Sequence, residues 1–223
     1  MRLLAVSDHV DEVLDHDPRL VGPVDLVVSC GDLPFDYLDH LMAGLDAPLA
    51  FVAGNHDPDV GGYTTARSGL VVKAGLPAEP PWPPGAANAD GHVVDVAGVR
   101  IAGLGGCRRY SDGPNQYTQR QQRRRSRRLV TAARWHKFRD GRRVDLVLTH
   151  APPLGVGDGD DDVHRGFAAH LDLIDRLRPP LLLHGHVDAG AGSDRHGDTV
   201  VRNVVGRHVL ELEPQPAHQR HAS

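Results

Sequence analysis

Short apolar runs that end in polar clusters recur along this chain. Leu3 to Ser7, Asp25 to Ser29 and Leu49 to Ala53 read as buried strands, each closed by a polar or glycine-containing segment. Residues 12–22 are polar and predict a loop or short helix. Leu38, Leu41, Met42 and Leu45 then recur with the 3.6-residue period of a helix over Asp36 to Leu45. Residues 1–57 therefore read as β-x-β-α-β. Pro77 to Pro84 predicts an extended surface loop, because proline supplies no ladder donor. His92 to Val96 and Val99 to Leu104 flank Ala97-Gly98 as a hairpin. Beyond it the pattern predicts a long basic helix over 116–138, a strand over Asp145 to Thr149 and a glycine- and aspartate-rich loop over 155–162. A helix over 164–177, a strand at Leu181 to Leu183 and two closing strands near 199–205 and 207–212 follow. One domain over 1–213 with a disordered tail at 214–223 accounts for the whole pattern.

What ends those runs changes the picture. Five strand ends carry Asp8, Asp32, Asn55, His150 and His186, and the third presents Gly54-Asn55-His56-Asp57 together. Ligands bind at the carboxyl ends of strands in open α/β sheets. Each residue alone is an ordinary cap or turn residue, but five in series point to one site assembled by folding. Mixed carboxylate, amide and imidazole donors suit manganese, iron, zinc or nickel better than magnesium or calcium. The spacing is far too wide for a local metal loop.

Composition narrows the class. The chain has 223 residues, 40% hydrophobic and 24% charged, as a soluble globular protein does. Cys30 and Cys107 stand far apart without CxxC spacing, so a reducing cytoplasm fits best. No apolar run is long enough for a bilayer, which argues against a membrane partner. Net charge is -4, yet residues 108–143 hold 13 of the 25 Lys/Arg against two acids, Asp112 and Asp140. A solvated helix face competes there with an electrostatic funnel for phosphate-bearing substrates. Nucleic acid is the less favoured partner, because the arginine run lacks interleaved aromatics for base stacking. Gly103-Leu104-Gly105 fails as a dinucleotide motif at Arg108, and Asp158, Asp160 and Asp162 fail as a calcium loop at Val163 and Ala169.

The residues resemble the calcineurin-like metallophosphoesterase superfamily, in particular a branch of small bacterial phosphoesterases. Asp8 corresponds to the first motif, Gly31-Asp32 to the second, Gly54-Asn55-His56-Asp57 to the third, His150 to the fourth and Gly185-His186 to the fifth. The resemblance implies an α/β fold, a four-layer α/β/β/α sandwich of two mixed β-sheets flanked by helices. It implies hydrolysis of phosphate mono- or diesters, with two divalent cations holding a hydroxide for in-line attack. Asp32 would bridge the cations, Asn55, His150 and His186 would complete one site, and Asp8 would belong to the other. His56 would face the leaving oxygen, with Asp57 orienting its ring. Arg108, Arg109, Tyr110 and His164 would meet the substrate, a small phosphate ester or a nucleotide.

Two positions depart from the family pattern. Val10 and Asp188 stand where histidines are usual, both at the site anchored by Asp8. His9 sits one place early and is expected to point to the opposite side, whereas Asp188 is a carboxylate substitute. One firm cation site and one weaker one follow, and a catalytically weakened or inactive binding scaffold is the alternative function. Oligomeric state and the identity of the substrate are not written in the sequence.

Overall fold

The computed structural model describes residues 1–65, 70–188 and 192–214. Two sheets lie face to face. The first has the order Gly206–Glu211, Arg2–Ser7, Leu26–Ser29, Leu49–Phe51, Ala87–Asn88, all parallel except the first pair. The second runs Ser193–His196, Thr199–Asn203, Leu181–His184, Leu146–Thr149, Val99–Leu104, Val93–Val96, parallel in its centre and antiparallel at both edges.

Strand alternation builds the layers. Leu3, Ala5, Leu26 and Val28 of the first sheet meet Ile101, Leu146, Leu148 and Leu183 of the second in the central core. The intervening Leu4, Val6 and Val27 face outward onto Leu14 of helix α1 (Glu12–His16) and Leu38 and Leu41 of α2 (Phe35–Leu45). On the far side, Ala102, Leu104, Val147 and Leu182 carry Leu129, Val130 and Ala133 of α3 (Gln119–Asp140) and Leu173 and Ile174 of α4 (Ala168–Leu177). The result is the α/β/β/α sandwich expected, and it explains why the central strands read as unbroken apolar runs: both faces are covered.

Several boundaries moved for identifiable reasons. The long helix starts at Gln119 because Thr118 and Gln121 form a reciprocal capping box, and it ends at Gly141, whose φ is 81°. The helix expected from 164 starts only at Ala168, leaving 155–166 as loop. Pro77, assigned to an extended loop, closes a small antiparallel sheet of Tyr63–Thr65, Val71–Lys73 and Leu76–Pro77, on the edge where proline is tolerated. The two closing strands do not share a sheet: Thr199–Asn203 stays in the second, and Gly206–Glu211 crosses to pair with the first. The residues after Pro214, where a tail was expected, lie outside those described.

Between α3 and α4, fully buried His170 accepts from the Gln122 side-chain amide at 3.2 Å. Burial pushes its pKa down to about 3. The native ring is neutral while the unfolded one protonates near its ordinary 6.5, so the unfolded state binds more protons between those values. Stability contributed there is intact above about pH 6.5 and is lost as pH falls below it, by about 1.4 kcal/mol per pH unit. Urea unfolding between pH 7.5 and 4.5 is expected to show a shallower acid decline in His170→Gln than in wild type. Equal slopes would show that this ring is not the proton-linked group.

Candidate metal site

The loops at the carboxyl ends of both sheets meet over the central core, and there the backbone is unusual. Asp8, Asp32 and His186 all adopt left-handed φ, at 63°, 57° and 69°. Such conformations are costly for non-glycine residues and persist where surroundings over-determine them. The neighbouring glycines make room. A Cβ on Gly54 would run into the Asp32 carboxylate, and one on Gly185 into Ser7 and Asp8. Strand ends are thus packed closely enough to bring donors from four segments together, those of Asp32, Asn55, His150 and His186.

His150 is fully buried at the centre. Its Nδ1 lies 2.8 Å from the Cys30 carbonyl, an acceptor only, so Nδ1 carries a proton. Its Nε2 then faces the Asn55 amide oxygen at 3.0 Å and the Asp32 carboxylate at 3.2 Å. The Asn55 amide nitrogen donates to the Tyr110 hydroxyl at 3.1 Å, which turns the amide oxygen towards His150. A lone pair and two oxygen acceptors therefore converge, and only a proton or a cation between them satisfies all three. Burial alone would lower the His150 pKa, but Asp32 and Asp8, with the Cys30 carbonyl, outweigh it and lift the pKa to about 9. Burial opposes ionisation of Asp32 as well, and the His150 contacts overcome it, so its carboxyl titrates below the ordinary value.

His186 completes the set. Its Nε2 donates to the Val163 carbonyl at 2.9 Å, leaving Nδ1 as the acceptor, and its ring stands 4.8 Å from that of His150. Burial, then repulsion from His150, lowers its pKa to about 4, so it is neutral near pH 7. Ligand atoms of Asp32, His150 and His186 lie within 4.8 Å of one another, the only such His/Cys/Asp/Glu group among the described residues. Both imidazoles give their other nitrogen to a backbone carbonyl, the arrangement that orients metal-ligating histidines. The donor set, carboxylate and amide oxygen with imidazole nitrogen in a negatively biased pocket, fits a borderline divalent cation, which would take the place of the proton that His150 otherwise holds.

The other expected site residues are distributed differently. Asp8 accepts the His186 backbone N–H through both carboxylate oxygens at 3.1 Å, and burial raises its pKa. Asp188 is exposed and meets His9 Nε2 at 3.1 Å, so His9 turns towards this rim rather than away from it. Asp57 does not hold the His56 ring. Its Oδ2 accepts the backbone N–H groups of Gly54 at 2.7 Å and Asp32 at 3.0 Å, because a tight turn leaves those donors otherwise buried. His56 donates its backbone N–H to Asp32 at 2.8 Å and keeps an exposed side chain. Arg108 reaches Asp162 at 3.6 Å, and Arg109 donates to the Gln116 carbonyl at 3.5 Å. His164 pairs with Asp161 at 2.8 Å and its ring lies 5.3 Å from that of His186.

Two groups were missed in the sequence. Asn115, at φ 53°, donates through its side-chain amide to the Gly54 and Asp57 carbonyls at 2.9 and 3.0 Å, pinning the central turn. The Val163 carbonyl enters through the acidic loop. Asn115 follows Gly113-Pro114, a turn signal that marks its loop; a backbone carbonyl leaves no signal at all.

A family model for calcineurin-like phosphoesterase matches residues 1–188. The crystal structure of TT1561 of Thermus thermophilus is similar with a TM-score of 0.61, covering 92% of this chain and 89% of that one at 16% identity, a likeness of fold. The UPF0046 protein T07D4.2 of Caenorhabditis elegans is 36% identical over 76 residues, 33% of this chain. That match spans 19% of the curated relative's length.

Proposed function

The chain belongs to the calcineurin-like phosphoesterase family, and from that premise we propose that it hydrolyses phosphate mono- or diesters of small molecules or nucleotides with a divalent cation. The reading is carried by the convergence of acceptor atoms from Asp32, Asn55 and His150, which calls for positive charge at their centre. With His186, these residues would hold the cation, whether manganese, iron, zinc or nickel. A cation there supplies Lewis-acid polarisation of a phosphoryl oxygen and a lowered pKa for water.

The chain's own groups have separate tasks. Tyr110 sets the orientation of the Asn55 amide. Asp57 fixes the turn by binding the N–H groups of Gly54 and Asp32. The exposed His56 side chain, one residue from Asn55, is the candidate proton donor to the leaving oxygen. Arg108 and His164 are both held by acids of the 158–164 loop, so substrate phosphate would compete for the same side chains. Asp8, with Asp188 and His9 at the rim, would form the weaker second position. Hydrolysis of a chromogenic phosphodiester with manganese is expected in wild type, and to fall roughly 10²- to 10⁴-fold in His56→Ala. Equal rates would remove His56 from the chemistry.

A scaffold without turnover is the second reading. It is favoured by Asp188 pairing with His9 instead of joining the central donors. Metal analysis separates the two: about two ions per chain support the hydrolase, following the two-cation arrangement, and zero or one support the scaffold.

A further inference from the structure

α3 begins beside the site and leads away from it. Gln122 and Arg125 both donate to the Gly105 carbonyl, and Gln119 donates to the Gly166 carbonyl. Its apolar side is used up against the second sheet by Leu129, Val130 and Ala133. Along the solvent-exposed flank of that apolar stripe, Arg120, Arg123, Arg127, Arg134 and Lys137 are exposed, and no acid faces them in an ion pair among the described residues. The spacing repeats every three, four or seven residues, so these cations form one row. Arg120 to Lys137 spans about 26 Å at 1.5 Å per residue.

The row runs into a cleft. A concavity of about 440 Å³ between the carboxyl ends of α3 and α4 is lined by Arg134, Lys137, Arg143, Arg176 and Arg178, with Asp175 as its acid. Asp175 is already engaged by His196 at 2.8 Å. Helix-end dipoles favour cations there, but by less than would gather five in one concavity. Next in sequence to Arg134 and Lys137, Trp135 is 56% exposed, with the Arg139 guanidinium over its ring at 4.9 Å, and Phe138 is 83% exposed. Aromatic side chains thus accompany the basic row, although the arginine run itself carries none.

We propose that this row and cleft bind single-stranded nucleic acid, with phosphates along the arginines and bases against the exposed Trp135 and Phe138 side chains at the carboxyl end of α3. That such a strand is also the substrate rests on the phosphoesterase reading; that it binds does not. Charge complementarity sets the polyanion, and the solvent-facing rings require bases that are not already stacked in a duplex. An anionic bilayer is the poorer match, because the continuous apolar stripe of α3 is packed on the second sheet and only two aromatic side chains, Trp135 and Phe138, stay exposed at its carboxyl end.

The test is fluorescence anisotropy with a labelled oligothymidylate of about 20 nucleotides, longer than a site size of roughly 4–16. If five phosphates are neutralised, log K falls against log salt with a slope of roughly -3.5, a loss of about 100-fold from 50 to 200 mM. The Arg120→Gln/Arg123→Gln/Arg127→Gln variant is expected to lower that slope by about 2 while chromogenic diester hydrolysis is unchanged. Phe138→Ala is expected to weaken binding about tenfold at unchanged slope. Salt-insensitive binding, an unaltered slope in the triple variant, equal affinity for a duplex of the same length, or tighter association with phosphatidylserine/phosphatidylcholine vesicles each overturns the proposal. Binding is read without turnover and turnover without the oligonucleotide, so failure of this surface and failure of the hydrolase reading give different results.

Discussion

Asp32→Ala is expected to eliminate manganese-dependent hydrolysis, with a loss well beyond the 10- to 100-fold typical of groups that only support a metal ligand. The residue has three roles at once. Its Oδ2 faces His150 at 3.2 Å, its Oδ1 accepts the His56 backbone N–H at 2.8 Å, and its own N–H is held by Asp57. Truncation removes the carboxylate that makes the pocket attractive to a cation and releases the turn that presents His56. Calorimetric titration with manganese should show binding in wild type and little or none in the variant. Asp32→Asn keeps the shape and removes the charge, so it separates electrostatics from packing. Should both variants bind metal as wild type does, the central donor set is not the cation site.

The second large effect is structural. Arg100→Met is expected to destabilise the fold by about 2–4 kcal/mol, read as a lower urea midpoint at unchanged m-value. Arg100 is 1% exposed, and each of its five N–H donors has an acceptor. Nε and one Nη2 hydrogen serve Asp95 at 3.0 and 2.9 Å, and the other Nη2 hydrogen serves Asp140 at 2.7 Å. Nη1 serves Asp140 at 2.9 Å and the Arg142 carbonyl at 3.1 Å. Asp140 sits at the carboxyl end of α3, where a negative charge opposes the helix dipole. Arg100 thus couples the β-hairpin to the end of the basic helix. Removing it leaves Asp95 with Arg142 Nη1 at 3.4 Å and Asp140 with the Arg142 backbone N–H at 3.1 Å, and those remaining contacts and their partial exposure hold the loss below that of a fully buried pair. Arg100→Lys retains charge without the fork and should fall between. A change under about 1 kcal/mol would mark the cluster as an ordinary surface pairing.

Much of the sandwich is legible because its causes are local. Leu38, Leu41 and Met42 reveal α2 by period, and Ala97-Gly98 reveals its hairpin through two left-handed turn residues, at φ 49° and 82°. Ser193–His196 is invisible to the same reasoning. It is an edge strand of polar residues, exposed along most of its length, and it is a strand only because Thr199–Asn203 offers a ladder. The sheet switch at Gly206 is hidden likewise, since a turn signal does not say which sheet the next strand joins.

The candidate site divides along the same line. Residue types and order alone mark Asp32, Asn55, His150 and His186 as donors waiting at strand ends. Their chemistry is decided elsewhere: by Tyr110 turning the Asn55 amide, by the Cys30 and Val163 carbonyls assigning the imidazole protons, and by His9 meeting Asp188 across 179 positions. Periodicity and turn chemistry act over a few residues, so the chain itself determines its elements and the donors they carry. Which nitrogen holds a proton, and which charge faces which, depends on atoms a few ångströms apart in space and remote along the chain, and only the packed strands bring those atoms into contact.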